Sequence, residues 1–278
     1  MKTLQERITI AVAAGLLLPG LWVPAPAQTP PRAQAPAYRA PRGADGKPNL
    51  NGVWQAIGSA HWDIEAHAAR AGSVVSLGAV GAIPGGLGVV EGGKIPYLPW
   101  AEKKRKENAE GWMTLDPEVK CYLPGVPRAT YLPFPFQIVQ TPTHILITYE
   151  FATASRIVYM NRPDFESPID TWMGHSRGHW EGDTLVIDVT SFNDQTWFDR
   201  AGNFHSDALH VVERYTPAGP GAIRYEAAIE DPKVFTRPWK ISLPLYRRLE
   251  KNVQLIEFKC VEFVEELMYG NLRKKAGK

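Results

Sequence analysis

The sequence lacks an excess of charge of either sign: 31 Lys and Arg face 29 Asp and Glu among 278 residues, a formal charge of +2. That balance argues against a sequence-independent nucleic-acid binder, which needs a basic surface to release counterions from phosphates. Cysteine is scarce, with only Cys121 and Cys260, and no Cys-x-x-Cys redox spacing exists. After the first apolar run, no stretch reaches the roughly 20 apolar residues that a membrane helix needs, so stable membrane insertion is not expected. No strand-like run is followed by a Gly-rich phosphate loop and a helix, which removes βαβ nucleotide-binding classes. What is present favours a packed domain: 44% hydrophobic and 22% charged residues supply a core and disfavour wholesale disorder. The 24 Gly and 24 Pro work against long helices. Nine Trp, 10 Tyr and 10 Phe offer flat apolar surfaces for a core, a ligand pocket, or both.

The chain starts like a secretory leader. Lys2 and Arg7 precede the apolar run Ile8 to Leu18, and Ala25-Pro26-Ala27 offers small residues at a cleavage site. Residues 1–27 are therefore read as a signal peptide, and the remainder as periplasmic or extracellular. In an oxidising compartment the pair Cys121 and Cys260 predicts a disulfide, stabilising by roughly 4–5 kcal/mol in the chain-entropy model. Two separate buried thiols are the alternative. Residues 28–44, rich in Pro, Ala and Arg, read as a disordered lead-in, followed by a single β-rich domain over 45–278. Residues 72–96 carry many small residues and read as a long, mobile, Gly-rich excursion. A short helix is expected near 100–110, with Pro99 in its first turn and Lys103 to Lys106 on a solvated face.

Beyond Phe136 the pattern has period two. Ile145, Ile147 and Tyr149 alternate with more polar neighbours, as do Leu209, Val211 and Tyr215, and Ile223, Tyr225, Ala227 and Ile229. Such alternation predicts strands with one buried face. Further candidates are 155–160, 175–181, 184–190, 238–244 and 253–260, with Glu181-Gly182-Asp183 as a hairpin turn. Many short strands with brief turns predict a mainly β fold, an antiparallel meander closing into a barrel or half-barrel. Gly52-x-Trp54 on the first strand resembles the lipocalin and calycin opening.

A broader resemblance rests on longer motifs. Asp45-Gly-Lys-Pro-Asn-Leu-Asn-Gly-Val-Trp54, Asp116-Pro-Glu-Val-Lys-Cys-Tyr-Leu-Pro-Gly-Val-Pro-Arg128 and Pro135-Phe-Gln-Ile-Val-Gln-Thr-Pro142 fall in order along the chain. Thr171-Trp-Met-Gly-His-Ser-Arg-Gly-His-Trp-Glu-Gly-Asp-Thr-Leu-Val-Ile187 and His205-Ser-Asp-Ala-Leu209 follow. Together they resemble a large family of exported bacterial proteins, over about residues 45 to 262. The resemblance implies export and a shared fold, and implies no particular activity. Asn161-Arg162 departs from the Asp-Gly-Arg turn expected there.

The chemistry-bearing residues concentrate between 175 and 207. His175, Arg177, His179, Glu181 and Asp183 share parity and would face one side of an unbroken strand. Two imidazoles four residues apart on a strand sit roughly 13 Å apart, too far to share one ion unless the strand bends. No cofactor is therefore predicted, and a divalent metal on His175, His179 and Glu181 is the lesser alternative. A solvated strand face is the plainer reading. The second constellation is His205 with Asp207 or Asp199, beside Asn193 and Trp197, because a carboxylate next to a histidine fixes its tautomer for proton transfer. Ser206 is no nucleophile on this reading, since no Gly-x-Ser-x-Gly elbow is expected and adjacent residues on an extended chain point apart. Arg156, Glu150, Glu213 and Arg214 are read as cross-strand ion pairs on the outer face, with an inward Arg as the alternative.

The expectation is an exported small-molecule enzyme, a lyase, isomerase or hydrolase working in a β-barrel pocket. His205, Asp207 and His179 are its catalytic groups; His175, Arg177, Glu181, Asn193, Trp197 and Asp199 bind the substrate, a small organic molecule. One alternative is a periplasmic carrier or sensor of an apolar or aromatic ligand. Another is an envelope interaction protein. Oligomeric state is not legible in the sequence.

Overall fold

The period-two segments become nine strands: β1 (Gly52–Ala56), β2 (Phe136–Gln140), β3 (His144–Tyr149), β4 (Ser155–Met160), β5 (His175–Glu181), β6 (Thr184–Thr190), β7 (His210–Gly219), β8 (Ala222–Glu230) and β9 (Trp239–Arg247). The structure, a computed structural model, describes residues 38–273. The expected leader, residues 1–27, and residues 28–37 of the lead-in lie outside the described residues. Each strand pairs with the next, and β9 returns to β1, so the sheet is a closed, calycin-like barrel. Closure leaves no strand edge to aggregate.

A ring of strands that alternate in direction needs an even number, and nine is odd. One adjacent pair must run parallel, and it is β4 with β5. Residues 161–174 carry the chain back across, as a parallel connection requires. The parallel pairing is short, joining Val158, Tyr159 and Met160 to Ser176, Arg177 and Gly178. The β5–β6 hairpin turns at Gly182-Asp183 between paired Glu181 and Thr184. Gly182 has φ 58°, which a residue without a Cβ adopts freely.

Strands β4, β5 and β6 occupy the expected ranges. Segment 253–260 does not form a strand. By then β9 is paired on both sides, to β8 and β1, and the closed barrel has no edge left to accept it. The segment instead crosses to the disulfide, with Phe258 against Phe134 and Phe151.

The inward parity positions fill the barrel. Phe136, Ile138, Ile145, Ile147, Val158, Leu185, Ile187, Val189, Val211, Tyr215, Tyr225 and Ile241 are all buried. Burying each such side chain is worth about 1.5–3 kcal/mol against exposure. Trp54 is buried at the closing seam, its Nε1 donating to the Leu50 carbonyl at 2.9 Å. The Arg247 guanidinium of β9 lies 4.5 Å over its ring. Gly52 has φ 144°, a backbone conformation that residues with a Cβ rarely adopt, which explains glycine two residues before that tryptophan.

Residues 57–135, between β1 and β2, pack outside the strands with the C-terminal segment. They carry α1 (Pro99–Glu110), α2 (Trp112–Leu115) and α3 (Arg128–Tyr131), while α4 (Val264–Tyr269) follows the barrel. Cys121 and Cys260 are disulfide-bonded across 139 residues. The bridge ties the two segments together, beside a Phe263 N–H to Val119 carbonyl bond of 2.7 Å. The glycine-rich stretch is pinned down: His67 and Gly86 exchange backbone bonds of 3.0 and 2.9 Å, and Glu91 N donates to Lys240 O at 2.9 Å. Its glycines serve close approach, since a Cβ on Gly88 would meet the Ala66 backbone nitrogen at 2.4 Å. The lead-in is likewise structured from Tyr38. Gly43 N donates to Lys47 O at 2.8 Å, and Ala40 is buried. No helix among the described residues is long and apolar enough to cross a membrane.

Candidate functional site

The shared parity of the β5 side chains is real, but the shared face is the barrel's outside. His175 Nε2 bonds the Phe165 carbonyl at 2.8 Å, and its ring stacks on Tyr159. Arg177 donates to Asp188 Oδ1 at 2.6 Å and to the Pro163 carbonyl at 2.8 Å. His179 meets Glu181 at 3.2 Å, and Glu181 also accepts from Arg214 at 2.7 Å. Asp183 pairs with Arg42. This is a ladder of cross-strand ion pairs in solvent, each worth little. Among the described residues, no three His, Cys, Asp or Glu side chains come together to hold a metal ion.

His205 points the other way, into the core. Its Nδ1 is 2.9 Å from the Ser206 carbonyl, so that nitrogen carries the proton. Its Nε2 accepts from the Thr196 hydroxyl at 2.6 Å. Burial lowers its pKa. Asp207 is exposed and takes Lys233 at 2.6 Å, so it does not orient His205. Asp231, not Asp207, is the carboxylate of this turn, accepting from Ser206 N and Oγ at 2.6 and 2.9 Å. Asn193 caps its own loop by accepting from Gln195 N at 3.2 Å. Trp197 packs against the outer cluster of Val74, Trp112, Met113 and Val119. The expected catalytic trio is thus dispersed: His179 outside, His205 inside, Asp207 on an ion pair.

Gly174-His-Ser-Arg-Gly178 does have Gly-x-Ser-x-Gly spacing, although no such elbow was expected. A nucleophile elbow needs a sharp strand-to-helix turn, and Ser176 sits instead within β5, buried, its Oγ accepting from Arg156. Arg156 and Glu213 also differ from their expected place. They face each other inside the barrel at 2.6 and 3.0 Å, because both occupy inward parity positions.

One concavity of about 410 Å³ lies on the barrel, where β4 and the start of β5 present Arg156, Tyr159, His175 and Ser176; other polar concavities lie in the outer layer. Its buried ion network starts in the motif of residues 116–128. Arg128 donates to both Asp116 oxygens at 2.7 and 2.8 Å and to Glu118 at 2.6 Å. Glu118 also accepts from Arg200, at 3.1 and 3.0 Å. His61 lies against this network with its Nδ1 buried and unpartnered among the described residues. Burial holds its imidazole down at about 4.

A cavity of about 540 Å³ opens where β1 ends and β9 passes beneath the glycine loop. Ala56, Ile57, Val89, Leu243 and Pro244 make its apolar wall, and Asp63 is the charged residue lining it. Asp63 is placed by the turn that follows β1, in which Trp62 N and Asp63 N both donate to the Ser59 carbonyl. Its Oδ1 accepts from Glu65 N at 2.9 Å, while Oδ2 makes no hydrogen bond among the described residues. Burial raises its pKa. Behind it Asp199 is sealed, accepting from Ile64 N at 2.8 Å, Asn203 Nδ2 at 2.6 Å, Ala201 N at 2.9 Å and Asn203 N at 3.3 Å. Burial, and then the Asp63 charge, push the Asp199 carboxyl up to about 7. The two carboxyls, one sealed and one facing a cavity, are both raised by burial, an arrangement suited to holding and releasing a proton.

Of the expected site residues, Asp199 alone belongs to this pair, as support and not as a substrate contact. Asp63 was legible in one respect. His61, Asp63, Glu65 and His67 alternate as the β5 residues do, in a stretch that is otherwise apolar and small. Comparison of the chain with known protein families, curated proteins and solved structures finds no match in any of the three.

Proposed function

We propose that this protein is exported and acts by acid–base chemistry on a small, largely apolar organic molecule seated in the cavity between β1, β9 and the glycine loop. The observation that carries the reading is Asp63: one carboxyl, with an open oxygen, on the wall of a mostly apolar cavity of about 540 Å³. An apolar body is bound by area, and a single polar group fixes its orientation. A carboxyl raised by burial gives or takes a proton under conditions where an ordinary aspartate stays ionised. Asp199 is its positioning partner, since its carboxylate bonds the backbone immediately after Asp63. The reaction class this fits is proton transfer to or from the bound molecule, as in a lyase or isomerase. The leader-like start, the disulfide and the resemblance to exported proteins support the address.

The test exposes the mature protein to a small-molecule extract of its native compartment and follows the mixture by mass spectrometry. Wild type is expected to consume one compound and release a product. Asp63→Asn should bind that compound and turn it over about 10²–10⁴-fold more slowly. A fully active Asp63→Asn variant would sink the reading. The carrier alternative is favoured by the cavity's single charged residue, and retention of the compound unchanged by both proteins would select it.

A further inference from the structure

The turn Ser59–Asp63 has a second side. Two clefts of about 180 and 320 Å³ meet at the Arg200 guanidinium, both walled by Trp62, Trp112 and Ile83. The guanidinium carbon lies 4.7 Å from the Trp62 ring centre and 4.8 Å from that of Trp112. The cation therefore lies against two indoles that meet edge to face, their centres 5.6 Å apart, a contact that fixes the fork without consuming its N–H groups. Glu118 takes one edge of that fork, at Nε and Nη2. On the end-on edge, Glu265 of α4 touches Nη2 alone, at 3.2 Å. Nη1 makes no hydrogen bond among the described residues, though the Arg200 side chain is only 14% exposed. A nearly buried guanidinium normally spends its donors, and here the donors left over face clefts.

We propose that the end-on edge of Arg200 is a binding site for a small organic anion. Its carboxylate bridges Nη1 and Nη2, and its apolar body lies against Trp112, Leu77 and Tyr269. Carboxylate and guanidinium match as parallel N–H···O pairs. The ligand competes with Glu265, the chain's own carboxylate, which sits on the same edge through one bond. Local charge is consistent with this. Asp116 and Glu118 balance Arg128 and Arg200, so Glu265 is the replaceable anion. The site is separate from the cavity that holds Asp63.

Benzoate titrated into the full chain, with tryptophan fluorescence as readout, tests the assignment. Saturable quenching is expected, with benzamide, equal in shape and uncharged, at least about tenfold weaker. Glu265→Gln should bind benzoate at least about threefold more tightly, since it removes the competitor and keeps the shape. Arg200→Lys keeps charge and loses the fork, and should weaken binding at least about tenfold. If that variant does not fold, the Glu265→Gln comparison decides. Equal binding of benzamide and benzoate overturns the site, as does the absence of saturation in both wild type and Glu265→Gln. Benzoate affinity in Asp63→Asn should match wild type, which separates this site from the proposed reaction.

Discussion

Two arginine networks are buried in this molecule, and they are built differently. Inside the barrel, Arg156 spends its whole fork: Nε on Tyr149, Nη1 on Ser176 and Glu213, Nη2 on Glu213 and Tyr215. Glu213 also receives the Tyr215 and Tyr225 hydroxyls at 3.0 and 2.8 Å. Outside it, Arg200 keeps Nη1 open, and Arg128 Nε and His61 Nδ1 are buried without partners among the described residues. A closed ladder fixes inward positions on both sides of each strand, so partners can be matched one to one. The outer layer is assembled from loops and short helices around cavities, where matching is incomplete. An unpartnered donor alone marks no site, since Trp239 Nε1 on β9 is also buried without a partner among the described residues; Arg200 differs in lining clefts.

The strongest way to break this comparison is to cut the fastener. Arg156→Met leaves Glu213 uncompensated in the barrel and should cost about 3–5 kcal/mol, read as a lower urea midpoint. Pairing it with Glu213→Leu should recover only part of that loss: the uncompensated charge is gone, but the buried hydroxyls of Tyr149, Ser176, Tyr215 and Tyr225 lose partners. If the double variant is as unstable as the single, the network is doing more than balancing its own charge.

The next effect belongs to the outer layer and depends on pH. His61 is held at about 4 in the fold against 6.5 when exposed. Between those values the unfolded chain binds a proton that the folded one refuses. The resulting stability is fully present above pH 6.5 and is lost as pH falls toward 4, amounting to about 2–3 kcal/mol. Asp199 slopes the opposite way. Its folded value near 7 exceeds the ordinary 3.8, so its contribution is present at low pH and lost as pH rises through that window. His61→Gln removes the first slope and leaves the second. Thermal midpoints measured from pH 4 to 7 should then fall with rising pH where wild type is flatter. A wild-type profile unchanged by His61→Gln would mean that the imidazole is not buried as described.

The barrel was legible because period-two alternation is a local signal that closure then uses: β4, β5 and β6 need nothing beyond their own residues. The parallel β4–β5 pair was not legible, since it follows from the strand count around the ring and not from either strand. Parity placed His175, Arg177, His179 and Glu181 on one face, yet parity cannot say which face is outside. The small alternates Ser176 and Gly178 answer that, for they are what fits inward. Asp63 and Arg200 were harder still. Their surroundings come from β9, the glycine loop, the 116–128 motif and α4, brought together over long separations and held by one disulfide.

The smallest expected effect tests the barrel's outer wall. His210 bonds Asp188 at 2.8 Å, and that hydrogen bond raises its pKa. Its contribution is therefore present below the unfolded value and lost as pH rises through the folded one. Both partners are partly solvated, at 37% and 32% side-chain exposure, so solvent screens the pair. Replacing His179 or His210 by Gln should shift stability by less than about 0.5 kcal/mol. Each should leave turnover and benzoate affinity unchanged. Loss of turnover in His179→Gln with the fold intact would return the active centre to the β5 face. In that case the dense polar motif around residues 171–187 would carry chemistry, and the outer cavities would be packing defects.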